Sequence, residues 1–271
     1  MALSHDPVGP SVMGIVNVTP DSFFAATRTQ ARDQAIQRGI ELFDMGCDIV
    51  DVGGESTRPG ASDVPVVEEL DRVISVVEVL ALHGPVSIDT RKPEVARAAV
   101  AAGAVVVNDV SGSLIDVAGE LSVGYVAMHS QGTPATMQLG PHYDDVVGEV
   151  HDALADMAKR ARAAGVAQLW LDPGIGFGKT LEHNLALVAH CDDLVDLARR
   201  YDAGVLIGTS RKRFLGALGP HTLEVDDRLE GSIATEAWSL MSGVAMIRVH
   251  DATAALQLRE LVSRPLTEVG S

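Results

Sequence analysis

Residues 171–179, with the sequence LDPGIGFGK, place the carboxylate of Asp172 before three closely spaced glycines. The apolar run before Asp172 is short, lacks a helical period and stops at a Pro-Gly turn, which predicts a buried strand with Asp172 at its carboxyl end. A buried carboxylate costs free energy unless a donor binds it, so an amide-rich ligand explains Asp172 better than packing does. Glycine also lets the backbone approach such a ligand closely. Taken alone, Asp-Pro-Gly would indicate only a turn.

Other apolar runs of the chain also end in residues that can bind a ligand. In chain order these residues are Asn17, Asp51, Asp89, Asn108, Met128 with His129, Asp172, 208–212, and Arg248 with His250. Any one of them alone could close a turn, cap a helix or lie in the core. Together they predict a ring of ligand-binding groups around one opening.

One half of this ring suits a flat heterocycle. Asp89, Asn108 and Asp172 supply the donors and acceptors that bind an edge bearing amino and lactam groups. The polarizable thioether of Met128 can cover the face of the same ring.

The other half suits an anion. Asn17, Arg248 and His250 are the residue types that bind a phosphate or diphosphate, and Lys212 lies between the two halves. The sequence shows no Ser-His-Asp order, P-loop or zinc-ligand spacing.

Alternating strand and helix patterns must position these groups. The predicted strands are 12–16, 48–52, 86–88, 105–107, 125–128, 169–171, 205–207 and 244–247, and the predicted helices are 28–45, 66–82, 93–102, 114–122, 142–164, 182–200, 226–242 and 253–262. Crossovers long enough for a helix predict parallel strands. We therefore expect an α/β fold, a single (β/α)8 TIM barrel with its ligand site at the C-terminal ends of the strands. An open doubly wound sheet is the alternative.

Length and composition agree with one such domain. The chain has 271 residues, and we expect a loose lead-in at 1–11, the barrel at 12–265 and a tail at 266–271. A net charge of −16 argues against a nucleic-acid or anionic-membrane partner. The sequence has no apolar run long enough for a membrane span, no signal-peptide pattern and only two cysteines, which predicts a cytoplasmic protein with reduced thiols.

Several separate motifs, in order over nearly the whole length, give the chain a resemblance to one family. They begin at Asn17 (NVTPDSF), Asp51 (DVGGESTRPG), Ser87 (SIDT), Asn108 (NDV), Met128 (MHSQG), Asp172 (DPGIGFGK), Ser210 (SRK) and Ile247 (IRVHD). With these motifs the chain resembles the dihydropteroate synthase family.

The resemblance implies a pterin-binding TIM barrel and a transferase. Enzymes of that family join 6-hydroxymethyl-7,8-dihydropterin pyrophosphate to p-aminobenzoate, which gives 7,8-dihydropteroate and pyrophosphate in folate biosynthesis. The resemblance further implies Mg²⁺ as cofactor with Asn17 as its protein ligand, a homodimer, and a sulfonamide target.

The implied site residues form overlapping sets. Those for the pterin are Asp51, Asp89, Asn108, Met128, Asp172, Gly208 and Lys212. Those for the diphosphate are Asn17, Arg248 and His250, and those for the aminobenzoate are Phe23, Thr57, Arg58, Pro59, Phe177 and Ser210. The implied catalytic residues are Asp89, Asp172, Lys212, Arg248 and His250.

The chemistry fits these assignments. Diphosphate can leave first and give a delocalised pterin cation, which the arylamine then traps; the protein stabilises the developing charges and excludes water.

Two departures from the family pattern keep alternatives open. After Phe23 the chain reads Phe24-Ala25-Ala26-Thr27, where the family commonly continues Ser-Asp-Gly-Gly, and this loss favours a non-catalytic pterin-binding paralogue. The segment 108–128 is short, which predicts an abbreviated fourth helix. A pterin-dependent methyltransferase barrel is the third candidate, although it has no use for Arg248 and His250 together.

Overall fold

The computed structural model describes residues 9–18, 25–56, 61, 63–132 and 136–264, with the backbone alone for 25–29. The aminobenzoate predictions at Phe23, Thr57, Arg58 and Pro59 lie outside the described residues, as does the departure at Phe24. The domain limits at 11 and 265 stay predictions, with the first strand beginning at Ser11.

Eight parallel strands close into a barrel in sequence order, and the last pairs with the first. They are β1 Ser11–Asn17, β2 Ile49–Gly53, β3 Val86–Asp89, β4 Val106–Asp109, β5 Gly124–Met128, β6 Gln168–Asp172, β7 Gly204–Ile207 and β8 Met246–Val249. The predicted TIM barrel is confirmed, and the open sheet is wrong.

Nine helices surround the strands in the described part of the chain. They are α1 Ala25–Met45, α2 Val66–Leu80, α3 Pro93–Ala101, α4 Ile115–Glu120, α5 Val146–Ala163, α6 Leu181–Ala189, α7 Cys191–Arg199, α8 Leu229–Met241 and α9 Ala252–Val262. Two short 3₁₀ helices, Arg213–Ala217 and Val225–Arg228, lie between β7 and α8. Among the described helices, none combines the length and the apolar composition that a membrane-spanning helix needs.

Several of the predicted boundaries differ in the structure. The helix predicted at 182–200 is two helices, because His190 leaves the helical conformation (φ −106°, ψ 31°) and its Nδ1 lies 2.9 Å from Asp193 Oδ2. The helix predicted from 142 begins at Val146, because the side chain of Asp145 accepts from the amide of Gly148 and caps it. β8 begins two residues later than predicted. The abbreviated fourth helix is confirmed at six residues.

The strands separate two apolar regions. One packs between barrel and helices; the other fills the barrel interior with Met13, Ile49, Val106, Val126, Trp170, Leu206 and Met246. Because strand side chains alternate between faces, the residue two positions beyond an interior residue also faces inward, nearer the carboxyl end. Asp51, Asn108, Met128, Asp172, Gly208 and Arg248 each stand at such a position.

Candidate active site at the carboxyl ends of the strands

Four side chains from four strands form one hydrogen-bonded group at the barrel mouth. Arg248 Nε donates to Asp51 Oδ2 at 2.7 Å, and Arg248 Nη2 donates to Asp89 Oδ2 at 2.8 Å. Asn108 Nδ2 donates to the same Asp51 oxygen at 3.0 Å. The other oxygen, Asp51 Oδ1, is buried and has no hydrogen-bond partner within the described residues. An uncompensated buried acceptor is costly, so this oxygen is suited to a ligand donor.

Burial and charge act against each other in this group. Burial raises the pKa of Asp89 to about 7, with the nearby Asp51 adding to the rise and Arg248 opposing it. Burial also disfavours the charge of Arg248, but Asp51 and Asp89 outweigh it and raise the pKa of the guanidinium. Arg248 thus stays charged while Asp89 titrates near neutrality.

Asp172 and Lys212 form a second charged group at the barrel mouth. Asp172 Oδ1 accepts from the Gly174 amide at 2.7 Å. Burial raises the pKa of Asp172, against the opposing effects of the Lys212 charge and that amide. Lys212 Nζ donates to the Ile175 carbonyl at 2.5 Å and lies 4.7 Å from the centre of the Phe177 ring, within cation–π range. Burial lowers the pKa of Lys212 to about 8, although Asp172 opposes the shift.

The glycines of the loop after β6 serve close packing between loops. Gly174, Gly176 and Gly178 have φ of 68°, 84° and 64°, a region that favours glycine. A Cβ on Gly174 would lie 1.8 Å from the His129 carbonyl oxygen, and one on Gly178 would lie 2.5 Å from the Gln131 carbonyl oxygen. The sequence analysis attributed these glycines to a close approach of the backbone to a ligand. In the structure, Gly174 and Gly178 instead allow the loop after β5 to pack closely against them.

Ser210 and His250 lie together at the end of β8. The His250 amide donates to Ser210 Oγ at 3.1 Å, and His250 Nδ1 is 3.3 Å from the same hydroxyl. Arg38 Nη2 donates to the His250 carbonyl at 3.3 Å. Arg211 turns away with φ 56° and binds both carboxylate oxygens of Asp251. This turn separates Arg211 from its neighbours Ser210 and Lys212.

Small residues leave room beside the charged group. A Cβ on Gly53 would lie 3.5 Å from Asp89 Cβ and 3.9 Å from Asn17 Oδ1, so Asn17 and Asp89 flank this glycine. A Cβ on Gly208 would lie 3.7 Å from Arg248 Cβ and 3.8 Å from Lys212 Nζ. Asn17 is the exposed last residue of β1.

The described candidates lie at the same end of the barrel. They are Asn17, Asp51, Asp89, Asn108, Met128, Asp172, Phe177, Gly208, Ser210, Lys212, Arg248 and His250. Met128 is buried and lies in register with Asp172 across the β5–β6 pair. The division of these residues among pterin, diphosphate and aminobenzoate stays a prediction.

Two polar clusters beside the site were missed from the sequence. Lys179 is 3% exposed, and its Nζ lies 3.1 Å from His129 Nδ1. The position of Lys179 at the end of the glycine segment indicated that it lies near the site. No sequence pattern, however, predicts that a lysine is buried.

The second missed cluster joins the ends of β2 and β3. Glu55 accepts from Arg91 at 2.9 Å, from Lys92 at 2.6 Å and from the Val64 amide at 3.0 Å, and Lys92 also pairs with the buried Glu69. The acidic residue of the motif GGES is therefore a structural anchor for its loop.

The comparisons with known proteins agree with this geometry. A family described as pterin binding enzyme matches residues 13–250. A dihydropteroate synthase of Escherichia coli K12 is 41% identical over 276 aligned positions, covering 98% of this chain and 93% of the relative.

Solved structures are similar over most of their length. The Xanthomonas albilineans dihydropteroate synthase with 4-aminobenzoic acid is 43% identical with a TM-score of 0.84, covering 94% of this chain and 92% of that one. The Thermus thermophilus dihydropteroate synthase in complex with 6HMPPP is 40% identical with a TM-score of 0.78, over the same shares of the two chains. With this likeness in sequence and in fold, the chain belongs to the pterin-binding enzymes and, among them, to the dihydropteroate synthase family.

Proposed function

We propose that the barrel mouth condenses 6-hydroxymethyl-7,8-dihydropterin pyrophosphate with p-aminobenzoate, which yields 7,8-dihydropteroate and pyrophosphate. The hydrogen-bonded group of Arg248, Asp51, Asp89 and Asn108 carries the proposal, because it sets a fixed cation beside acceptors suited to a pterin edge. The relatives named above support the choice of reaction.

At the pterin end, carboxylates and an amide bind the heterocycle. The ring nitrogens and the amino group of a pterin need acceptors, which Asp89, Asp172 and the partnerless Asp51 Oδ1 supply. Lys212 donates to a ring acceptor, and Met128 packs on the face. Asn108, already bonded to Asp51, fixes that carboxylate while its own oxygen stays available as an acceptor.

At the diphosphate end, Arg248, His250 and Asn17 hold the leaving group. The attraction between the guanidinium and the departing oxygen increases as negative charge builds on that oxygen. Arg248 therefore stabilises the transition state more than the ground state. Breaking the carbon–oxygen bond leaves a positive charge spread over the pterin, which Asp89 stabilises when it is in its ionised form. The amine of aminobenzoate then attacks the methylene carbon and sheds its proton to water, so no general base is required.

Mg²⁺ belongs with the diphosphate. It favours oxygen ligands and commonly binds through one or two protein oxygens together with substrate phosphates. Asn17, at the exposed end of β1, offers one amide oxygen beside Asp89. The donors thus fit an ion that is held mostly by phosphate, and when bound it would neutralise charge on the leaving group.

Aminobenzoate binds beside Phe177 and Ser210. The contact between the Phe177 ring and Lys212 supports an aminobenzoate subsite next to the proposed pterin site. The remaining proposed contacts, Phe23, Thr57, Arg58 and Pro59, belong to residues outside the described ranges.

A homodimer through α8 is the proposed assembly. Trp238 and Met241 are 56% and 78% exposed on this helix, and Leu185 on the adjoining α6 is 40% exposed. An apolar face of this kind marks an interaction surface. Light scattering should report twice the chain mass for wild type and the single mass for Trp238→Glu.

We further expect the protein in the cytoplasm.

The test of the proposed function is pyrophosphate release from the dihydropterin substrate with Mg²⁺, with and without aminobenzoate. Product that forms only with both substrates supports the synthase. Pterin binding without turnover would instead favour the non-catalytic paralogue, and no affinity for inorganic pyrophosphate would favour the methyltransferase. Asp172→Ala should abolish pterin binding; retained binding would overturn the site assignment.

A further inference from the structure

We propose that Lys179 is a positioning residue, which holds Phe177 and the loop after β6 in the arrangement that places Lys212 between the two substrates. This inference rests on the proposed function, since it assigns to Lys179 a role in that same site.

The contacts of Lys179 join two loops. Its Nζ lies 3.1 Å from His129 Nδ1, donates to the Phe177 carbonyl at 3.1 Å and lies 3.5 Å from the His129 carbonyl. His129 follows β5 directly, and its amide donates to the Asp172 carbonyl at 3.0 Å. The Lys179 ammonium therefore links His129, which is bonded to Asp172, with Phe177, whose ring contacts Lys212.

The charge of Lys179 is expensive where it lies. The side chain is buried, and no carboxylate of the described residues forms an ion pair with it; Asp172 acts on it only through space. Burial lowers the pKa of Lys179 to about 7, and burial together with the charge of Lys179 lowers the pKa of His129 to about 4. An apolar side chain of similar length would avoid this cost, so the ammonium is explained by what it binds.

The loop held by Lys179 supplies three contacts to the site. The Gly174 amide binds Asp172, the Ile175 carbonyl accepts from Lys212, and the Phe177 ring covers the Lys212 ammonium. Asn184 supports the same loop by accepting from the Gly176 amide at 2.6 Å, and Tyr143 donates to the Gly178 carbonyl at 3.0 Å. These two act at Gly176 and Gly178, whereas Lys179 is the side chain bonded to the backbone of Phe177 itself.

The decisive experiment compares Lys179→Met with wild type in steady-state kinetics and in binding of inorganic pyrophosphate with Mg²⁺. We expect KM for aminobenzoate to rise by about tenfold or more, because a displaced Phe177 leaves that subsite misaligned. The Kd for pyrophosphate, which we expect to depend on Arg248 and His250 and not on Phe177, should change less than twofold. Lys159→Met removes an exposed lysine of α5 and is the matched control, with both constants expected at wild-type values.

A double variant with Phe177→Leu tests the route of the effect. If Lys179 acts through Phe177, the two substitutions together should raise KM little more than either alone, since contacting residues are not additive. Should Lys179→Met fail to fold, His129→Leu removes the other side of the same contact and should give the same selective rise in KM.

The outcomes separate this inference from the proposed function. Wild type without turnover defeats the proposed function. Active wild type together with an unchanged KM in Lys179→Met, or equal losses for aminobenzoate and pyrophosphate, overturns the positioning role alone.

Discussion

Arg248 and Asp89 are bonded to each other across the barrel mouth, with Nη2 of one 2.8 Å from Oδ2 of the other. The guanidinium proposed for the diphosphate is thus attached to a carboxylate proposed for the pterin. An anion that attracts Arg248 therefore also changes the hydrogen-bonding capacity that Asp89 has for a heterocycle. In the proposed function, one connected group therefore recognises both halves of the first substrate, and we expect their binding to be coupled.

We expect inorganic pyrophosphate to strengthen the binding of a pterin that carries no diphosphate, by about fivefold or more. The anion competes for Arg248 and leaves Asp89 available to the pterin. Titration calorimetry of the pterin with and without pyrophosphate and Mg²⁺ measures the effect. Arg248→Gln should abolish it, and equal affinities in wild type would contradict the coupling.

Asp89→Asn should stabilise the protein increasingly as pH rises. The folded pKa of Asp89 is raised from 3.8 to about 7 by burial, so between these values the unfolded chain loses the proton that the folded chain keeps. The contribution of Asp89 to wild-type stability falls across this window, while asparagine cannot ionise. Thermal unfolding should show a larger difference in Tm between variant and wild type at pH 8 than at pH 5. A difference independent of pH would mean that Asp89 is not perturbed.

Gly174→Ala should destabilise the fold by about 3 kcal/mol or more. The added Cβ would lie 1.8 Å from the His129 carbonyl oxygen, so backbone must move as well as adopt a strained φ. Gly165→Ala isolates the second effect, because φ there is 79° and nothing lies within 4 Å of the added carbon. We expect about 1 to 2 kcal/mol for this control in denaturant unfolding. Equal losses would show that the crowding at His129 is relieved cheaply.

Lys92→Met should cost about 3 kcal/mol, because it removes the cation beside Glu69, whose side chain is fully buried. Thr90 Oγ1, at 2.7 Å, would be left as the hydrogen-bond donor to that carboxylate. The matched change Lys159→Met breaks the pair with Asp156, in which both side chains are mostly exposed, and should cost less than about 1 kcal/mol. Chemical denaturation of both variants provides the comparison, and similar losses would argue against a structural role for the buried pair.

The barrel could be predicted from the sequence because its strands are apolar runs that stop at polar residues. Asp89 and Asp172 are the last residues of β3 and β6, as the pattern predicted. The helix break could not be predicted, because the helical sequence pattern continues through His190 while its backbone adopts a non-helical conformation.

The partners of Lys179 could not be predicted for a different reason. Its contact with His129 joins residues 50 positions apart, and it exists only because the loops after β5 and β6 are packed together at Gly174. Sequence pattern reports periodicity within an element, whereas a contact between two loops depends on the closed barrel.

The ring of Phe177 over Lys212 restricts how this chain could evolve resistance to a compound that imitates aminobenzoate. If Phe177 binds aminobenzoate as proposed, a substitution at position 177 that excludes the compound also removes a contact from Lys212, which we propose for the pterin. Escape at this position would then lower the fitness of the organism through weaker use of the pterin. Tolerated changes should accordingly arise at side chains that touch one substrate alone.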